Sequence, residues 1–150
     1  MFTPDGKRLL TGSADGSLIL WDPRSASPIW KRSAEDARFG IENGVTSLAV
    51  NAAGTIAVVG GANGEVRVVN LSKGEVLGRL EGHSEGESIE AIEFMELGGG
   101  STSAGVVVTG GTDGRACIWD LTTMRLRVSV AHSVSQGNRF LSTEVITHAP

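Results

Sequence analysis

The chain has 150 residues, 13 of them basic and 17 acidic, a formal net charge of −4, 40% hydrophobic content, 21 glycines and one cysteine. These are the proportions of an ordinary globular domain with a high density of turns. They exclude a transmembrane helix, since no apolar run approaches the about 20 residues required, and an intrachain disulfide, since Cys117 stands alone; secretion is not expected, since "FTPDGKRLL" after Met1 lacks the apolar core of a leader.

Residues 1–33 open with Phe2 at the end of a strand and reach "DGSLILWD" (15–22), an Asp-Gly turn followed by a strand that is apolar on both faces. Such a strand suits a sheet covered on both sides. An acidic connection, "SAEDARFGIEN" (33–43), comes next. Residues 45–80 carry four runs rich in Val, Ile and Thr, "VTSLAV", "TIAVV", "EVRVV" and "EVLGRL", separated by "NAAG", "GGANG" and "NLSKG". Each run reads as a short strand and each separator as a turn. After "GHSEGES" (82–88), residues 89–130 repeat the pattern from "IEAIEF" to "DGRACIWD" (113–120). Residues 131–150 start as a transition to a further unit and then lose the pattern, as an irregular tail would.

The spacing marks internal repeats: Trp21, Val69 and Trp119 stand 48 and 50 residues apart, and Gly6, Gly12 and Gly16 recur as Gly54, Gly60 and Gly64. The longer second interval comes from six added residues in "MELGGGSTSAG" (95–105). Short strands in sets of four predict an all-β fold of β-propeller type with about three blades, 1–33 (incomplete), 45–80 and 89–130. Closed propellers need about four to eight blades. Two sheet faces are therefore expected to lie uncovered here, and remaining blades of the same propeller are expected from additional sequence.

These copies resemble the WD-repeat (WD40) family. In that family a His, a Ser or Thr, the turn Asp and the Trp indole form a hydrogen-bonded chain inside a blade, and the resemblance assigns these places to His83, Thr109, Asp113 and Trp119. The first copy keeps Thr11, Asp15 and Trp21. The middle copy has Val59, Asn63 and Val69 instead, and no His. A half-satisfied buried network costs more than an apolar replacement, so joint loss with packing in its place is the expectation. Buried polar sets satisfy one another, which makes these residues structural and not catalytic.

Acid is the other signal. No Lys or Arg occurs between Arg79 and Arg115, whereas Glu81, Glu85, Glu87, Glu90, Glu93 and Glu96 crowd into sixteen residues. In a propeller the connections from each outer strand to the next inner strand open on one face. Glu35, Asp36, Glu42, Glu85 and Glu87 fall on two of them, Glu90 just beyond, and Arg38 alone opposes them, while Glu65 and Glu75 read as outer-strand residues away from that face. Together the acids predict a negative patch that steers a basic partner; the bland alternative is ordinary solvated surface.

Within the WD-repeat family, "GVTSLAVNAAGTIAVVGGANGEVRVVNLSKGEVLGRLEGHSEGESIEAIEF" and "GVVVTGGTDGRACIWDLTTMRLR" resemble the angio-associated migratory cell protein family. Its fungal members are chaperones that hold a newly made, basic large-subunit ribosomal protein until it is loaded on the pre-ribosome. The resemblance implies that role, in the cytoplasm with a nuclear pool as the alternative.

Two other readings stay open, a signalling or ubiquitin-ligase adaptor and, less well supported, an enzyme built on a propeller. The second would need convergent acid-base, nucleophile or metal groups, and the sequence does not supply them. Cys117 has no His and Asp or Asn set to activate it, the three His do not cluster with Cys at metal-ligand spacing, and neither Gly-rich stretch is followed by Gly-Lys-Ser/Thr. With Tyr absent and basic residues scattered, no nucleic-acid groove is indicated. No cofactor, metal, nucleic acid or membrane partner is therefore expected.

Overall fold

A computed structural model describes residues 1–95, 105–134 and 141–147. Residues 96–104, with Glu96, and His148 lie outside the described residues. Every described element is a strand, and all pairings are antiparallel.

The first sheet holds β1 (Leu9–Gly12), β2 (Leu18–Asp22) and β3 (Ser27–Arg32), with a single bridge from Phe2 to Leu9 at its inner edge. The second runs in order through β4 (Val45–Val50), β5 (Ile56–Gly61), β6 (Val66–Asn70) and β7 (Val76–Arg79). The third contains β8 (Ile89–Met95), β9 (Val106–Gly111), β10 (Arg115–Asp120), β11 (Arg125–Val134) and β12 (Leu141–Thr147). Residues 131–134 and 141–147 thus differ from the expected transition. Residues 131–134 continue β11, and β12 returns alongside, with Val128 opposite Thr147 and Val134 opposite Leu141. The physical reason is local: "RLRVSVAHSV" keeps a two-residue apolar period, and "LSTEVIT" is rich in β-branched residues that favour pairing.

The repeat is visible in the backbone itself. Register shifts fall between Leu20 and Trp21, Val68 and Val69, and Ile118 and Trp119, one position in three copies. Positive φ recurs at Ala26, Gly74 and Met124 and at Gly16, Gly64 and Gly114. Gly16 and Gly64 need more than their φ of 77° and 83°. A Cβ on Gly16 would lie 2.2 Å from the carbonyl oxygen of Ile41, and one on Gly64 would lie 2.5 Å from that of Ser84. The glycine of each turn lets the next connection pass directly over it.

Burial follows from stacking. Alternate residues of β5 and β6 point to opposite sides: Ala57, Val59 and Val69 pack with Leu10, Leu18, Leu20, Phe39 and Ile41 of the first sheet and its connection. Val58, Val66 and Val68 pack against Ile89, Val107 and Trp119 of the third. Among the described residues, the middle sheet alone contributes to both apolar clusters. In β2, Leu18 and Leu20 are buried but Ile19 and Trp21 are half-buried, so "SLILW" has one covered face here. Polar bonds cross between sheets as well. The Trp30 indole donates to Leu71 O at 2.9 Å, and the hydroxyls of Thr46 and Ser47 both donate to Ile89 O at 2.6 and 2.8 Å.

Candidate functional site

The third sheet carries a continuous polar chain. Trp119 Nε1 donates to Thr109 Oγ1 at 2.8 Å, and Thr109 Oγ1 lies 2.7 Å from His83 Nε2. His83 Nδ1 is 3.0 and 3.2 Å from the two oxygens of Asp113. The carboxylate can only accept, so Nδ1–H donates to it; Nε2 then accepts the Thr109 hydroxyl proton, and each group is satisfied in one direction. The side chains of His83 and Asp113 are 0% and 2% exposed. Asp113 also accepts from Ser84 N at 2.9 Å and Arg115 N at 3.0 Å, which ties the connection before the sheet to the turn between β9 and β10. Burial pushes the Asp113 carboxyl up, but these N–H donors and His83 together outweigh it and hold the group below the usual carboxylate range.

The other copies depart from this in different ways. In the first, Trp21 Nε1 donates to Thr11 Oγ1 at 2.8 Å, while Asp15 stands apart and accepts Ser17 N at 2.9 Å inside its own turn. In the middle copy Val59 and Val69 are fully buried. Packing takes the place of the network there, as expected, and beside it the same sheet buries Arg67, which is 7% exposed. Its Nε donates to Phe39 O at 2.8 Å and its Nη2 to Gly40 O at 3.4 Å, while Arg79 Nη2 donates to Ala37 O at 2.8 Å. Asp113 thus holds connection 80–88 by accepting its N–H groups, whereas Arg67 and Arg79 hold connection 33–44 by donating to its carbonyls. Sequence reasoning missed both arginines. The available signal was a charge inside "EVRVV", where the other copies have Ile19 and Cys117.

Asn63 is not idle either, since its Oδ1 accepts Gly86 N at 2.8 Å across to the next connection. Because this bond is exposed, Asn63→Ala should cost about 0.5–1.5 kcal/mol. Thermal melts should show a smaller loss than at Asp113, with faster amide exchange at Gly86.

Of the acidic residues, Glu35, Glu42, Glu85 and Glu90 are exposed, Glu90 at the register shift in β8. Two others are engaged: Asp36 lies 3.7 Å from Arg32, and Glu87 accepts the Thr112 hydroxyl at 2.6 Å. Arg38 is thus not the only opposing cation, since Arg32, Arg67 and Arg79 also reach connection 33–44 or its acids. Glu65 also needs correction. It sits in the turn between β5 and β6, where its carboxylate accepts Asn63 N at 3.1 Å and Glu42 N at 3.4 Å, so it belongs to the same face.

Two equivalent clefts open there. One of about 580 Å³ is lined by Asp15, Ser17, Lys31, Ser33, Ala34 and Glu35. The other, of about 490 Å³, is lined among others by Asn63, Glu65, Arg67, Arg79, Glu81 and Glu85. Asp15 and Asn63, Ser17 and Glu65, and Lys31 and Arg79 are pairs one repeat apart. Each cleft therefore presents carboxylates at its rim beside a cation on the outer strand. Among the described residues no group of three or more His, Cys, Asp or Glu is placed to hold a metal ion.

Known proteins are similar to this chain in sequence and fold. The model of the WD domain, G-beta repeat, matches residues 1–22 and 74–120. A WD repeat-containing protein of Schizosaccharomyces pombe is 33% identical over 132 residues, which cover 85% of this chain and 31% of that protein. The human angio-associated migratory cell protein is 29% identical over 137 residues, 86% of this chain and 31% of its own length. Among solved structures, Sqt1 of Chaetomium thermophilum superposes with a TM-score of 0.73 at 29% identity, covering 87% of this chain and 34% of that one. The same protein bound to the N-terminus of the ribosomal protein L10 gives a TM-score of 0.72. The chain spans about a third of the length of these relatives. With repeated antiparallel sheets, the Thr–Trp pair in two copies and the His–Asp link in one, the chain belongs to the WD-repeat family and within it resembles the angio-associated migratory cell protein.

Proposed function

We propose that the protein is a non-enzymatic binding platform that chaperones a basic large-subunit ribosomal protein during ribosome assembly, acting in the cytoplasm with a nuclear pool. The observation that carries this reading is the likeness, over 87% of the chain, to Sqt1, which has been solved with the N-terminus of ribosomal protein L10 bound. The acidic rims support it. Glu35, Glu85 and Glu90 are exposed carboxylates on or beside the face where the connections open, and Glu42 joins them from the end of connection 33–44. Exposed charges of one sign raise encounter rates with an oppositely charged partner more than they raise intrinsic affinity.

The test is direct titration of the full-length protein with a synthetic peptide comprising the N-terminus of ribosomal protein L10. Saturable binding that weakens as salt rises is the expected result. No binding at low salt would overturn the proposal.

A further inference from the structure

We infer that Arg67 and Arg79 are positioning residues for the acidic connection 33–44, fixing its backbone through carbonyl groups and so leaving the carboxylates of Glu35 and Glu42 available to a basic partner. The partner half of this inference rests on the proposed function; the positioning half does not.

Connection 33–44 has little regular structure of its own. Its internal order consists of Asp36 N to Ser33 O at 3.0 Å, Gly40 N to Asp36 O at 2.8 Å and Arg38 N to Asp36 Oδ1 at 3.2 Å. Phe39 and Ile41 anchor it by burial, and the carbonyls of Ala37, Phe39 and Gly40 accept from arginines of the second sheet. Arginine suits that place because its planar fork offers several donors in fixed directions. Arg67 spends Nε on Phe39 O, Nη2 on Gly40 O and Nη1 on Val66 O, so one buried side chain bridges strand β6 and the connection. A buried cation without such bonds would be strongly destabilising. Burial, and secondarily Arg79, push the Arg67 guanidinium below its ordinary value, as a desolvated site requires.

The choice of acceptor matters for function. Had these cations met carboxylates, the acids of the connection would have been neutralised pairwise. They meet carbonyls instead, and among the described residues neither Glu35 nor Glu42 has a side-chain ion pair. The Asp113 device of the third sheet reaches the same end with opposite polarity: it accepts Ser84 N, and Glu85 is left exposed beside it.

Positioning and plain electrostatics predict opposite signs, which makes the experiment decisive. Arg67→Met removes a positive charge, so by charge alone it would tighten binding of a basic peptide. If Arg67 positions the connection, binding of the L10 N-terminal peptide to the full-length protein should instead weaken by about three- to tenfold through faster dissociation. Hydrogen exchange at the Asp36 and Gly40 amides should quicken about tenfold, with the amides of 84–88 unchanged. Arg67→Lys keeps the charge without the fork and should loosen the same amides. Arg79→Met, at an exposed position, should act in the same direction to a smaller extent and carries the test if the Arg67 variants do not fold. Unchanged exchange at Asp36 and Gly40, or tighter peptide binding, would overturn the inference. If the unaltered protein binds no L10 peptide, the chaperone reading fails by itself, and the exchange measurement still decides the role of the arginines.

Discussion

Asp113→Ala is expected to lower the stability of the protein by about 1–3 kcal/mol, because it leaves the His83 Nδ1–H and the Ser84 and Arg115 amides without their acceptor. For a domain of this size that corresponds to a fall in melting temperature of about 2–4 °C per kcal/mol. Trp119→Phe removes the donor at the other end of the chain and should act in the same direction, with a packing loss added. Because the two residues share one network, the double variant should lose less than the sum of the single losses. The dependence on pH separates this account from simple loss of packing. The Asp113 carboxyl is held below its ordinary value in the fold, so its contribution is present above the unfolded-state pKa of about 3.9 and is lost as pH falls through the folded value. Melts of the Asp113→Ala variant and the unaltered protein should therefore converge below about pH 4. A gap that stays constant from neutral pH into that range would show that the carboxylate does not hold the network.

Much of the fold could be read from residues whose type is dictated locally. The turns at Asp15-Gly16 and Asp113-Gly114 announce themselves because a positive φ needs glycine, and the 48- and 50-residue intervals reappear as shared register shifts. The Thr109–Trp119 pair was legible through the resemblance to the WD-repeat family, and the physical reason for it is that a buried indole N–H must find an acceptor. Arg67 was not. Its partners Phe39 and Gly40 lie 28 and 27 residues earlier, and no local pattern states that a long side chain will turn back to a connection it follows. Glu65 failed through a single step of register: placed on a strand it belongs to the middle of the sheet, but at the turn before β6 it joins the loop face. The strand at 141–147 was missed because four strands were taken to complete each sheet, a rule that the pairing potential of residues 131–134 overrides.

The acidic face should be separable from ordinary solvated surface by charge reversal, and the structure selects which residues to reverse. Glu87 is unsuitable because it accepts the Thr112 hydroxyl, and Glu65 because it caps two backbone amides. Glu35 and Glu85 are exposed, line the two equivalent clefts and can change sign without breaking a bond of the fold. Glu75 provides the comparison: it is exposed beside the turn between β6 and β7, at the other end of the sheet. Each of Glu35→Lys and Glu85→Lys should slow association of the L10 N-terminal peptide by about three- to tenfold at low salt, since charges at a rim act chiefly on encounter. The double variant should slow it further and flatten its salt dependence, because screening over about 8–10 Å removes the same interaction that the substitutions remove. Melting temperatures should hardly change, as exposed charges contribute little to stability. Stopped-flow association measured from low to high salt reads the rates and their salt dependence, and thermal melts read the stability. Equal slowing by Glu75→Lys would reduce the loop acids to a contribution of net charge alone, whereas slowing confined to Glu35 and Glu85 would assign the encounter surface to the two clefts.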